Sequence, residues 1–98
     1  MSKIKLSDYV MRFLEQKGIE DIFMLSGGGC IHLVDYVGSS NLNYICNLHE
    51  QAAAISAEAY AQYTNKPSAL LVTTGPGGTN AITGVASGWL DSVPMFVL

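Results

Sequence analysis

The sequence predicts a three-layer α/β/α domain built on a mostly parallel sheet. Short apolar runs alternate with segments of helical character along the whole chain, beginning with a helix. Alternation of this kind is typical of parallel strands joined by right-handed helical crossovers. Apolar residues make up 49% of the chain and charged residues only 13%. This balance favours a sheet that is covered on both faces.

Each element is predicted from a local pattern. Ser7 or Asp8 is expected to cap a first helix that runs to about Lys17, and Gly18 is expected to end it in a left-handed conformation. Four strands are predicted, at Ile22–Leu25, Tyr44–Cys46, Ser68–Thr73 and Met95–Leu98. Three more helices are predicted at Cys30–Val37, Glu50–Tyr63 and Asn80–Leu90. Tyr60 and Tyr63 are expected in the core, whereas Trp89 suits either the core or a subunit contact.

The last predicted strand, Met95–Leu98, has no covering helix after it in the sequence. A buried parallel strand is normally followed by such a helix. We therefore expect that the domain is truncated after its fourth strand and that residues 1–98 belong to a longer protein.

Composition and charge exclude several classes of partner. The net charge is −3 and there is no basic stripe, so no nucleic-acid partner is expected. No apolar run reaches the roughly 18 residues that a membrane span needs. The first ten residues are too polar for a signal peptide. Two cysteines do not suggest a disulfide scaffold, and a cytoplasmic location is expected.

Glu50 is the candidate reactive residue. It follows an apolar run and opens an alanine-rich helix, where the positive end of the helix dipole and unpaired backbone N–H groups face a carboxylate. Ligands of open α/β sheets bind at such strand-to-helix junctions. Glycine-rich turns follow two other strands, at Gly27–Gly29 and Gly75–Gly78. We predict that the three junctions line one pocket. The alternative is that Glu50 only supports its helix.

The glycine turns leave a nucleotide-binding interpretation open. Glycine-rich turns let a phosphate approach backbone N–H groups. The second turn lacks the lysine of a nucleoside-triphosphate loop. The first turn follows a strand, and Glu50 lies near the spacing of a ribose-binding acid, but His32 occupies the place of the third glycine in a dinucleotide motif.

A zinc site is a further alternative. Cys30, His32, Cys46 and His49 each lie at or shortly after the end of a predicted strand and could approach one another. Their spacings do not match common zinc modules, and cysteine is often simply buried, so no metal site is predicted. His49 could instead line the pocket or serve as a structural histidine.

Three segments taken together are more specific than any one of them. They are His49–Ala53 with Ala57–Ala61, then Leu71–Asn80, then Asp91–Pro94. In this order they resemble the N-terminal, pyrimidine-binding domain of thiamine-diphosphate-dependent enzymes of the acetolactate synthase and 2-keto acid decarboxylase group. The resemblance extends over nearly the whole chain.

The resemblance implies a role for each matching residue. Glu50 would hydrogen-bond the aminopyrimidine ring of thiamine diphosphate and so activate the cofactor, which calls for a dry pocket that raises its pKa against the pull of the helix N-terminus. The other residues expected to contact the cofactor are Ser26, Gly27, Gly28, Gly75, Pro76 and Asn80. His49 and Gln51 are expected to line the substrate pocket.

The resemblance also implies parts that this chain lacks. Magnesium and the diphosphate would be bound by a separate, later domain, and flavin (FAD) would need a central domain, so FAD is without support here. The full-length protein would be a homodimer or homotetramer acting on a small 2-keto acid, and residues 1–98 alone would be inactive. Family members often have proline at Ser26 and arginine at Leu48, which leaves another 2-keto acid or a sugar intermediate open as substrate. A non-catalytic subunit-contact module is the third hypothesis.

Overall fold

The computed structural model describes residues 2–98, and its elements follow the predicted helix–strand alternation. A 3-10 turn at Gly28–Cys30 precedes the second helix. The elements are α1 (Leu6–Gln16), β1 (Asp21–Met24), α2 (Ile31–Ser39), β2 (Asn43–Cys46), α3 (Glu50–Thr64), β3 (Ser68–Leu71), α4 (Pro76–Asn80), α5 (Ile82–Leu90) and β4 (Met95–Val97).

The four strands form one parallel sheet in the order β2-β1-β3-β4. Phe23 in β1 pairs with Ile45 in β2 and with Leu70 in β3. Because β1 lies between β2 and β3, the segments that follow these three strands leave the sheet side by side at its carboxyl edge. The predicted parallel sheet is confirmed.

Alternate residues of the strands supply two separate cores, one on each face of the sheet. Ile22 and Met24 point toward α1 and α2, while Phe23 points toward α3 and α5, as the period of two in a strand requires. The first core contains Met11, Leu14, Ile19, Ile22, Met24, Cys30, Val37, Leu42, Ala69 and Leu71. The second contains Phe23, Ala53, Ala54, Ala57, Leu70, Val72 and Ala81. Helices on both faces confirm the three-layer architecture.

Helices α3 and α5 are joined by a close contact at one glycine and by one partly buried hydrogen bond. A Cβ atom at Gly84 would collide with the Cβ of Ala54 and would lie 2.9 Å from the backbone nitrogen of Ile55. Glu58 is buried, and its Oε1 accepts a hydrogen bond of 2.8 Å from the Ser87 hydroxyl. These contacts fix α3, which begins at Glu50, relative to α5. Helix α4 lies directly before α5 in the chain.

The ends of α1 agree only partly with the prediction. The helix begins at Leu6 with Lys5 at the N-cap, and no side chain within residues 2–98 caps its first turn. The Ser7 hydroxyl instead donates to Asp8 Oδ1 at 3.3 Å, so the predicted cap was wrong. Gly18 does adopt the expected left-handed conformation, with φ of +87°.

Two aromatic residues of α3 differ in burial. Tyr60 is partly buried against Phe23, with 5.6 Å between the ring centroids. Tyr63 is 93% exposed, so its placement in the core was wrong; it lies on the outer face of α3, away from the sheet. Trp89 in α5 is also on the outside, with 84% of its surface exposed.

The predicted turn after β3 is partly helical. Pro76 occupies the first position of α4, where its fixed φ and missing N–H are tolerated.

Within residues 2–98, no helix is both long and apolar enough to cross a membrane.

Substitution of Gly84 by valine should lower the free energy of unfolding by about 1–3 kcal/mol, because the added carbons must displace α5 from α3. Urea denaturation of the purified chain measures this. Gly38→Ala is the matched control, since Gly38 is also helical and has no atom within 4 Å of its Cβ position. A Gly84→Val variant as stable as wild type would contradict the close packing.

Candidate functional site

The carboxyl edge of the sheet brings three connecting segments together. The backbone N–H of Asn47 donates to Met24 O at 2.9 Å, which extends the β1–β2 pairing by one residue. On the other side of β1, the N–H of Leu25 donates to Leu71 O at 3.2 Å. The first glycine turn, the start of α3 and the second glycine turn therefore begin at neighbouring points of one edge.

Glu50 connects two of these segments. It is the first residue of α3 and is half-buried. Asn80 at the end of α4 donates its Nδ2 hydrogen to Glu50 Oε2 at 3.2 Å. A Cβ atom at Gly77 would lie 3.4 Å from Glu50 Oε1, which is ordinary van der Waals contact, so the carboxylate lies beside the backbone of this turn. The structure thus places Glu50 against the second glycine turn.

The pKa of the Glu50 carboxyl lies below its ordinary value. The largest cause is a hydrogen bond from the backbone N–H of Glu50 itself, followed by the one from Asn80, with a smaller contribution from His49; partial burial acts in the opposite direction. Both hydrogen bonds stabilise the charged form. In this chain by itself the hydrogen bonds at the helix N-terminus outweigh the limited burial, and the dry pocket that the resemblance implies around a bound cofactor stays a prediction.

His49 has a structural role at the start of α3. It occupies the N-cap, and its Nδ1 accepts a hydrogen bond of 3.0 Å from the backbone N–H of Gln51. This bond satisfies one of the N–H groups that the first turn leaves unpaired. Of the two interpretations that were open for His49, the geometry supports the structural one. Gln51 is exposed, and the assignment of both residues to a substrate pocket stays a prediction.

The second glycine turn brings Asn80 into place. Gly75 has φ of +68°, a conformation that favours glycine, and α4 begins directly after it at Pro76. The Thr79 hydroxyl donates to Pro76 O at 3.1 Å within this short helix. Gly75, Pro76 and Asn80 are exposed, and Asn80 reaches Glu50 from the end of α4.

The first glycine turn is attached to the segment that follows β3. The N–H of Gly29 donates to Thr73 Oγ1 at 3.2 Å, and a Cβ atom at Gly27 would lie 2.5 Å from the Cβ of Thr73. Gly28 has open space beside it. Ser26 instead lines a hollow of about 260 Å³ together with Tyr44, next to α2. The structure therefore brings Gly27 toward the second turn but directs Ser26 to a hollow that Glu50 does not line.

Thr73 is the residue of this edge that the sequence interpretation missed. It was assigned only to the end of the third strand. A hydroxyl residue between a buried strand and a glycine-rich turn is a weak signal, because its partners lie in a turn far away in sequence. Its contact with Gly29 spans 44 positions.

The four residues considered for zinc do not form a metal site. Cys30 is buried, and its Sγ donates to Gly27 O at 3.4 Å, while Cys46 is exposed. Across residues 2–98, the structure contains no group of three or more histidine, cysteine, aspartate or glutamate side chains that could hold a metal ion. The zinc hypothesis therefore lacks a ligand set in this part of the chain.

A parallel α/β sheet with an acid and two glycine-rich turns at its carboxyl edge defines a ligand-binding domain of the open-sheet class. Residues 4–98 match the model of a known family, the N-terminal TPP binding domain of thiamine pyrophosphate enzymes. The chain belongs to this family.

Curated relatives agree with the family. The chain is 41% identical to the acetolactate synthase large subunit of Lactococcus lactis, over 99% of the chain and 18% of that protein. It is 38% identical to the acetolactate synthase large subunit of Haemophilus influenzae, over 100% of the chain and 17% of that protein. A probable acetolactate synthase large subunit of Methanocaldococcus jannaschii is 35% identical, over 97% of the chain and 16% of that protein. The chain thus spans less than a fifth of these relatives.

Removal of the Asn80 amide should raise the pKa of Glu50 toward its ordinary value, because one donor to the carboxylate is lost. The carboxyl carbon of Glu50 can be followed by NMR during a pH titration of Asn80→Ala. Asn41→Ala is the control, since Asn41 is exposed and lies before β2. An unchanged Glu50 pKa in Asn80→Ala would contradict the hydrogen bond.

The same shift has a consequence for stability. Because the pKa of Glu50 is lowered in the folded chain, its carboxylate stabilises the fold above the ordinary glutamate pKa of about 4.3. This contribution is lost as the pH falls through the lowered pKa. Asn80→Ala should therefore lose less of its stability on acidification than wild type does.

Proposed function

We propose that this chain is the pyrimidine-binding part of a longer thiamine-diphosphate-dependent enzyme that acts on a 2-keto acid, by decarboxylation or carboligation, as acetolactate synthases do. Family membership and the names of the relatives support this proposal. The observation that carries it is the Glu50 carboxylate, held at the carboxyl edge by Asn80 and packed against Gly77.

The residues at this edge fit the pyrimidine end of the cofactor. A planar ring needs backbone without side chains on its faces and a carboxyl group at its edge. Gly28 and Gly75 have no atom within 4 Å of their Cβ positions, which leaves room beside both turns. The residues that would hold the ring are Gly27, Gly28, Glu50, Gly75, Pro76 and Asn80. Ser26 belongs to this set in the proposal by resemblance alone.

When bound, thiamine diphosphate supplies a thiazolium carbon acid whose conjugate base adds to a keto carbonyl. Glu50 would exchange a hydrogen bond and a proton with the nearby ring nitrogen. Asn80 fixes Oε2 and thereby sets the plane of the carboxyl group. A ring whose edge contacts this carboxylate would exclude water from it and raise its pKa. The ligand would thus provide the desolvation that the chain by itself lacks, and proton sharing would become favourable near neutral pH.

The remaining parts of the proposed enzyme lie outside these residues. Magnesium and the diphosphate would be bound by a separate domain, since the relatives are more than five times as long as the matched region. A homodimer or homotetramer is part of the proposal. It is supported by exposed apolar side chains on the outer surfaces of α3 and α5, namely Ile55, Ile82, Trp89 and Leu90.

Glu50→Gln in the full-length enzyme should lower kcat by about 100-fold or more, because a positioned group that exchanges a proton is removed. Steady-state turnover of pyruvate measures this loss. Glu20→Gln is the matched control, since the exposed side chain of Glu20 forms an ion pair of 3.4 Å with Lys66. Unchanged turnover in Glu50→Gln would favour the non-catalytic subunit-contact module.

Titration of the full-length protein separates the enzyme from a nucleotide-binding domain. Thiamine diphosphate with Mg²⁺ should bind, and NAD should not bind, because the first turn has His32 where a dinucleotide site needs glycine. Calorimetry of both titrations on one protein preparation gives the comparison. Preferential binding of NAD would contradict the proposal.

The isolated 98-residue chain should show no turnover of pyruvate and only weak binding of thiamine diphosphate. It presents residues for the ring but no group of acids for a metal within residues 2–98. Activity assays of the purified chain with the cofactor and Mg²⁺ test this expectation. Measurable turnover by the fragment would overturn it.

A further inference from the structure

Thr73 lies between the two glycine turns and contacts both of them. Its Oγ1 accepts the hydrogen bond of 3.2 Å from the Gly29 N–H on one side. On the other side, a Cβ atom at Gly77 would lie 2.8 Å from Thr73 Cγ2. The hydroxyl of Thr73 therefore contacts the first turn, and its methyl group contacts the second turn.

The glycines around Thr73 are required by the space that its side chain fills. A Cβ atom at Gly27 would lie 2.5 Å from Thr73 Cβ, and one at Gly29 would lie 2.9 Å from Thr73 Oγ1. Real Cβ atoms do not come this near to other heavy atoms, because van der Waals repulsion rises steeply below normal contact distance. The turns thus rest directly on Thr73, with only glycine Cα hydrogens between them.

Contact with Gly77 links Thr73 to the carboxylate. The Cβ position of Gly77 lies 2.8 Å from Thr73 Cγ2 and 3.4 Å from Glu50 Oε1. Gly77 is buried, so it cannot shift freely between these two neighbours. The Thr73 side chain is therefore in contact with both turns, and the second of these turns lies next to the Glu50 carboxylate.

We propose that Thr73 is a positioning residue that sets the separation of the two glycine turns and so shapes the site for the pyrimidine ring. This inference rests on the proposed function. The hydroxyl holds the first turn through Gly29, and the methyl holds Gly77. Thr73 does not touch the reacting atoms, so its effect is on the affinity for the ring more than on proton exchange by Glu50.

Three substitutions separate the hydroxyl from the methyl. Thr73→Val keeps the shape but removes the acceptor for Gly29, whereas Thr73→Ser keeps the acceptor and removes the methyl. Thr73→Ala removes both. Thr83→Val is the matched control, because Thr83 is an exposed threonine in α5.

The test measures the dissociation constant of thiamine diphosphate by calorimetry on the full-length protein with saturating Mg²⁺. Thr73→Val should weaken binding by roughly three- to tenfold, the effect of one lost hydrogen bond. Thr73→Ser should recover most of that loss, and Thr73→Ala should bind more weakly than either. Thr83→Val should stay within about twofold of wild type. Thermal midpoints of all variants report whether the fold is retained.

Kinetics provide the second measurement. Thr73→Val should raise the KM for thiamine diphosphate while kcat changes less, and Glu50→Gln should show the opposite pattern. Wild-type affinity in Thr73→Val, or a Thr73→Ser variant as weak as Thr73→Ala, would overturn the inference. A wild-type protein that does not bind thiamine diphosphate would instead overturn the proposed function.

Discussion

Parallel pairing of β1 with both β2 and β3 is the constraint on which the rest of the site depends. Parallel strands all leave the sheet at the same edge, so the segments after three neighbouring strands must begin close together. Residues far apart in the chain meet there without any long loop. Glu50 after β2 and Asn80 after β3 form a hydrogen bond across this edge, although the strand between their own strands is β1.

Small residues convert that proximity into contact. Gly84 lets α5 approach Ala54 in α3, and Gly77 lets α4 approach the side chain of Thr73, next to the Glu50 carboxylate. Any Cβ at either position would push two elements apart, because protein interiors leave no spare volume. The partly buried hydrogen bond from Ser87 to Glu58 adds a directional contact between α5 and α3. The position of the acid is therefore a property of the packed layer and not of its own helix alone.

Much of the fold follows from local sequence patterns. The features that the sequence did not predict correctly mostly concern the environment of a side chain in the folded protein. The alternation of elements, the left-handed Gly18 and the start of α3 at Glu50 were predicted correctly, since each depends on residues nearby in sequence. The lowered pKa of Glu50 did not follow from local patterns, because besides the backbone N–H of Glu50 itself it depends on the hydrogen bond from Asn80, 30 positions away. Tyr63 was misplaced because the period of a helix does not say which face the sheet covers.

The sequence by itself determined the class of fold, the candidate acid and the glycine turns, because periodicity, helix starts and turn residues are local physical signals. Only the tertiary structure decided which of these residues meet. It paired Glu50 with Asn80, used His49 to cap α3, placed Ser26 beside a hollow next to α2 and placed Thr73 between the turns. Such contacts depend on strand order and on distances of a few ångströms, which no short stretch of sequence encodes.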